Sequence, residues 1–131
     1  MNTVPRSSAC PCGGGNYHDC CGAYLRREAW PATAEELMRS RYTAFVLRDV
    51  EYLLRTWHPR TRPETIDLDE RTWTGLTITE QVDGTEDDQM GIIGFVATWV
   101  AAGEHGSQTE RSAFVRRAGR WFYLAATPET E

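Results

Sequence analysis

The chain has 131 residues, 40% hydrophobic and 25% charged, with a formal net charge of −5; this is the make-up of one globular domain with a sizeable core, and it excludes disordered and fibrous classes. The charge is uneven, with nine arginines against six acids in residues 1–62, five against thirteen in residues 63–131, and no lysine anywhere. Nucleic-acid binding needs a concentrated basic patch on a basic chain, so no nucleic-acid partner is expected.

The longest apolar run, around 92–102, is broken by Gly94 and Thr98 and falls short of the roughly 20 residues a membrane helix needs. Pro5, Arg6 and two serines stand where a signal peptide would carry its apolar stretch, so the expected compartment is the cytoplasm.

The first feature in chain order is CPCGGGNYHDCC, residues 10–21, which holds all four cysteines. Cys10 and Cys12 are one residue apart, Cys20 and Cys21 are adjacent, and seven residues separate the pairs. Two thiolate pairs folded face to face supply four sulfurs for a tetrahedral Zn²⁺, and Gly13 to Gly15 let the backbone turn tightly around it. A disulfide between Cys20 and Cys21 would be strained, because neighbouring Cα atoms sit about 3.8 Å apart and disulfide partners prefer about 5.5 Å. Cross-pair disulfides are geometrically feasible but rare in a reducing compartment, and a thioredoxin-type redox site needs two residues between its cysteines. The expectation is structural zinc on Cys10, Cys12, Cys20 and Cys21. His18 is an alternative fourth ligand, with a solvent-facing ring the expected outcome. Four thiolates leave no open position for water, which argues against a catalytic metal. Residues 1–22 offer few large apolar groups, so the metal, worth about 10–16 kcal/mol in isolated modules, is expected to order them.

This spacing resembles the SEC-C motif, the zinc tail of the preprotein-translocase motor. The loop is one residue shorter than that motif's usual one, and Gly15, Asn16, Tyr17 and His18 stand where the motif carries lysines. The resemblance implies zinc, and the missing lysines argue against the motif's export-chaperone and anionic-lipid partners.

Thr33 and Glu36 form a capping box that opens a helix over TAEELMRSRYTAFVLR, from Ala34 to about Arg48. Its apolar arc of Ala34, Leu37, Met38, Tyr42, Ala44, Phe45 and Val46 has Arg41 at its centre. A guanidinium there costs several kcal/mol unless it is paired or faces a polar cavity. An internal ion pair with Glu110 is the favoured expectation, and ligand binding the other. Asp49 caps a second helix, VEYLLRTWH, with Val50, Leu53, Leu54 and Trp57 at helical spacing before Pro59 ends it. His58 at its end reads first as a helix-terminal residue and second as a general base.

From Trp73 the period shifts toward two. Leu76 and Ile78 alternate with threonines, and Ile92–Ala101, Thr109–Arg116 and Arg120–Ala126 read as further strands, the last two joined by Ala118-Gly119. The acidic stretch DGTEDD, 83–88, reads as a hairpin loop without calcium-loop spacing. Helices followed by four strands give an α+β class: a zinc knuckle over residues 1–29, then a cone-shaped domain over 30–131, its helices packed on a curved antiparallel sheet. Arg41, Tyr42, His58 and Glu110 are the candidate residues for a pocket in the cone.

CPCGGGNYHDCCGAY, LMRSRYTAF, TWHP and ERSAFVRRAGRWFYL together resemble the YchJ-like family, an N-terminal SEC-C motif followed by a domain similar to nuclear transport factor 2 (NTF2). The chain departs from it in lacking a second, C-terminal cysteine cluster and in carrying Ala125-Ala126 where Asp-Gly is usual. Two functions compete. One is a non-enzymatic adaptor that docks a protein partner through the zinc segment, with a possible small-ligand pocket. The other is a dehydratase- or isomerase-type enzyme in the conical cavity, with Tyr42, His58 and Glu110 as acid-base groups and Arg41 holding an anionic substrate.

Overall fold

The computed structural model describes residues 8–127; the stretch around Pro5 and Arg6, read above for targeting, lies outside the described residues. A 3-10 turn over Tyr17–Asp19 leads into the short helix α1, Cys21–Leu25. Helix α2 spans Ala34–Leu47 and α3 spans Val50–Arg55. Four strands follow: β1 Thr72–Asp83, β2 Met90–Ala101, β3 Glu104–Arg117 and β4 Arg120–Thr127.

The capping chemistry is as the sequence implies. The Thr33 hydroxyl accepts from Glu36 N at 3.1 Å, and Glu36 Oε1 accepts from Ala32 N at 3.1 Å, so both side chains serve the helix start. Arg48 takes the left-handed conformation (φ 59°) and closes α2, and Asp49 then accepts from Tyr52 N at 3.0 Å to open α3. The second helix stops at Arg55, three residues short of His58. The chain turns there to bond with β4 instead: His58 N donates to Tyr123 O at 2.8 Å and Tyr123 N donates to Thr56 O at 2.9 Å. Backbone pairing with the sheet has overridden the helical apolar spacing that ends at Trp57.

The sheet is an antiparallel meander in the order β1-β2-β3-β4. Its tight turns rest on paired positive φ values, Ala102 (51°) with Gly103 (83°) and Ala118 (53°) with Gly119 (81°), the two-residue geometry that matches strand twist. The first of these lets β3 start at Glu104, five residues ahead of the expected Thr109. Strand β1 carries two register breaks, between Trp73 and Gly75 and between Ile78 and Glu80.

One face of the sheet packs on α2. Leu37, Met38 and Tyr42 meet Ile93, Phe95, Ala97, Phe114 and Trp121 in a single buried cluster that also contains Cys10, Cys12 and Cys21. Each large apolar side chain buried there contributes about 1.5–3 kcal/mol. A second cluster of Ala44, Tyr52 and Leu53 joins α3 to the far side of α2. Helix α2 therefore has the cysteine segment on one flank and the sheet on another. Indole hydrogen bonds fasten the edge, Trp121 Nε1 donating to Ala32 O at 3.0 Å and Trp30 Nε1 donating to Trp121 O at 2.8 Å.

Candidate metal centre and cavity

The four cysteine sulfurs lie within 4.8 Å of one another, with Cys12 and Cys20 at 3.6 Å and Cys20 and Cys21 at 4.0 Å. These are free thiols, well beyond the roughly 2.05 Å of a disulfide. A tetrahedral ion with metal–sulfur bonds of about 2.3 Å needs sulfurs about 3.8 Å apart, and the observed spacings bracket that value. The loop is shaped to the sulfurs. Cys10 N donates to Gly15 O at 2.6 Å, and a Cβ at Gly14 would stand 3.1 Å from both Cys12 Sγ and Cys20 Sγ, so a larger residue would crowd the sulfurs and glycine leaves them room. The donor set is able to hold a metal ion. His18 is not part of it.

Cys10, Cys12 and Cys21 are buried and Cys20 is partly so. Hydrogen bonds from Cys12 and Cys21 hold the Cys10 thiol well below its ordinary range, while donating to Cys10 and Cys12 pushes Cys21 up and burial pushes Cys20 up to about 12. The protons of some thiols thus serve the thiolate of another, and a divalent cation at the centre would displace them. The segment is tied to α2 by Arg39, whose Nη1 donates to Cys12 O at 2.9 Å, and by Thr43, whose hydroxyl lies 3.7 Å from Cys10 Sγ.

Between α2 and the sheet lies a cavity of about 240 Å³. Met38, Arg41, Tyr42 and Phe45 reach it from α2, Phe95 from β2, Gln108, Glu110 and Ser112 from β3, and Tyr123 from β4; Trp57, Arg71 and Trp73 complete its lining. Three of the four residues singled out from the sequence, Arg41, Tyr42 and Glu110, therefore share one cavity. His58 does not line it: its Nδ1 accepts from Arg60 N at 3.0 Å and its ring packs edge-on to Phe122.

Arg41 is 4% exposed. The expected ion pair with Glu110 is not formed; among the described residues no ion pair joins them. Arg41 Nη1 donates instead to Leu53 O at 2.8 Å and Thr56 Oγ1 at 2.7 Å, and its guanidinium carbon lies 4.5 Å from the Tyr123 ring centre and 5.2 Å from that of Trp57. Burial without a carboxylate partner lowers its pKa to about 10. Glu110 is likewise held by neutral groups, accepting from Gln108 Nε2 at 3.1 Å and Ser112 Oγ at 2.7 Å. Burial and then the charge of Glu110 push the Tyr123 phenol up to about 12, so it stays protonated beside the carboxylate. Trp57 and Tyr123 were not singled out as pocket residues in the sequence. The signal for them was the unexplained arginine, because a buried guanidinium without a carboxylate needs aromatic faces.

No helix among the described residues is long and apolar enough to cross a membrane. Residues 33–126 match the family model described as YchJ, middle NTF2-like domain. A UPF0225 protein from Chromobacterium violaceum is 47% identical over 123 residues, covering 90% of this chain and 91% of the relative. Another from Streptomyces coelicolor is 49% identical over 116 residues, covering 87% and 90%. The solution structure of a SEC-C motif containing protein from Rhodopseudomonas palustris, 32% identical, superposes with a TM-score of 0.82 over 94% of this chain and 100% of that one. A crystal structure of another such protein, from Psychrobacter arcticus, is 24% identical with a TM-score of 0.77 over 96% and 86%, and shares the fold. From the match over residues 33–126 and the full-length relatives, the chain belongs to the YchJ-like UPF0225 family, a four-cysteine segment joined to an NTF2-like α+β body.

Proposed function

We propose that this is a binding protein whose cavity takes a small ligand and whose four cysteines hold a structural zinc ion. The observation that carries the reading is Arg41, a buried cation that lines the cavity and has only neutral protein acceptors. An unpaired charge in such a place is costly, and costly groups are kept at functional sites. The zinc assignment rests on the four sulfurs and on the glycine that makes room for them. In this reading the metal-held segment ends near residue 29 and the binding domain runs from residue 30. Both Glu110 oxygens accept from neutral donors, an arrangement that suits a fixed acceptor better than a group exchanging protons, and this favours binding over acid-base catalysis.

A second reading, the protein-docking adaptor, is favoured by one feature: Gly13–Asn16 form an exposed loop directly over the buried sulfurs, a surface whose shape the metal would fix. Metal analysis with a thiol count on freshly purified protein tests the zinc, one ion per chain being expected. A fragment screen read by the amide and indole resonances of Trp57, Phe95 and Tyr123 tests the cavity. Paired oxidised cysteines without metal would overturn the first, and a silent cavity the second.

A further inference from the structure

On the reading that the cavity is a binding site, the geometry points to its ligand: a small carboxylic acid with a flat, apolar body and a hydrogen-bond donor at the far end. Its carboxylate meets Arg41 and its donor meets Glu110.

A guanidinium has five N–H donors in a planar fork. Arg41 spends Nη1 on Leu53 O and Thr56 Oγ1, and no protein acceptor is found for its Nε and Nη2. No sealed side-chain nitrogen or oxygen in the described residues lacks a partner, so this free edge borders the cavity rather than packed protein. A planar edge with parallel N–H groups fits a carboxylate bidentately.

Glu110 stands on the same cavity without pairing with Arg41. Opposite charges in a poorly solvated space collapse together unless each is tied down, and here each is tied by neutral groups on its own side. The gap is built in. A carboxylate has about four lone-pair sites; Gln108 and Ser112 take two and the Tyr123 phenol bears on a third, so Glu110 retains capacity for one ligand hydroxyl or amine. Its charge also selects against a dianion such as a phosphate ester. Between the two poles the walls are aromatic, Phe45, Trp57, Trp73 and Phe95. At about 240 Å³ the space lies below the roughly 300–1,000 Å³ of drug-sized sites, which limits the body to about a single ring. Arg71 also lines the cavity, stacked on Trp73 and Trp99 with ring distances of 5.0 and 5.4 Å, but its charge is matched by Asp69 at 2.7 Å, which leaves Arg41 as the cation for a ligand anion.

The test uses the full, metal-loaded chain and four probes at millimolar concentration: 4-hydroxybenzoate, benzoate, benzamide and phenylphosphonate. Binding is read by calorimetry and by the resonances of Trp57 and Tyr123. The expected order is 4-hydroxybenzoate, then benzoate, with benzamide and phenylphosphonate weaker by roughly ten- to a hundredfold, the range of a charged hydrogen bond. Arg41→Met removes the preference for benzoate over benzamide. Arg41→Gln, which keeps a donor for Leu53 O, does the same if the methionine variant folds poorly. Glu110→Gln lets phenylphosphonate approach benzoate and cuts the advantage of the hydroxyl. Equal binding of benzamide and benzoate would overturn the ligand class while leaving the cavity a binding site. Failure of all four probes together with a silent fragment screen would overturn both.

Discussion

Replacing Arg41 by methionine should make the protein more stable. Burial, only weakly offset by the charge of Glu110 across the cavity, takes the guanidinium from its ordinary 12.5 to about 10, and at about 1.4 kcal/mol per pH unit the charged side chain costs the fold about 3 kcal/mol at neutral pH. Methionine fills similar space without the charge. It forfeits the hydrogen bonds to Leu53 O and Thr56 Oγ1 and the stacking on Tyr123 and Trp57, a loss of about 1–2 kcal/mol. Leu53 O keeps a contact from Thr56 Oγ1 at 3.4 Å, so no carbonyl is orphaned. The net expectation is a gain of about 1–2 kcal/mol, or roughly 3–8 °C in Tm. Urea unfolding of both chains gives the difference directly, and an unchanged m-value shows that the two native states are equally compact. A variant that melts several degrees lower would refute the reasoning, because Arg41 would then be a strut whose contacts outweigh its desolvation.

Chelation of the metal, or Cys12→Ser, should free the cysteine segment from α2; losing the buried sulfurs and the Arg39 hydrogen bond removes roughly 3–5 kcal/mol, about 10–20 °C in Tm, with fast amide exchange appearing first at Tyr17 and Leu25. The same treatment should weaken benzoate binding several-fold, since the helix that carries Arg41 also carries Arg39 and Thr43; equal affinity with and without metal would show the two flanks of α2 to be uncoupled. Gly91→Ala should cost about 2–3 kcal/mol by urea unfolding, because its Cβ would stand 2.6 Å from Gly84 Cα, a backbone atom with nowhere to go; a neutral result would mean that the β1-β2 turn is loosely held. All five tyrosines are pushed above the ordinary 10.0 by burial, Tyr123 to about 12, so the folded chain holds these protons while the unfolded chain releases them. Each phenol contributes stability below pH 10 that is lost as the pH rises above it, for Tyr123 toward pH 12. The near-ultraviolet tyrosinate signal should rise later in the native protein than in the denatured one, read best in Arg41→Met, where the arginine's opposite trend is absent; coincident curves would contradict the burial.

Local chemistry made the elements readable. The Thr33-Glu36 box, the Asp49 cap and the Ala118-Gly119 turn each involve residues a few positions apart, and spacing carries that information. The cysteine grouping was readable for the same reason. Long-range placement was not. Arg41 stood out as an anomaly, yet its acceptors come from Leu53 and Thr56, which depend on how α3 folds back on α2, and the sequence pattern pointed to Glu110 instead. His58 was drawn away from the cavity by a backbone bond to Tyr123, 65 positions later, and nothing in its side chain announces that bond. The cysteine segment looked like an appendage because it has few large apolar groups. Its sulfurs proved to be part of the main apolar cluster through a helix that begins only at Ala34, beyond an intervening loop.

The meander leaves two lateral strands, and they are protected differently. Along β4 the chain segment around Thr56 and His58 supplies extra hydrogen bonds, so that border is partly closed. Strand β1 has a strand neighbour on one side only, and its two register breaks twist and kink a twelve-residue ribbon that would otherwise template another chain. Straightening those irregularities by deleting one residue at each should leave a monomer prone to adding copies of itself side by side, with fibril growth starting at Thr72–Asp83.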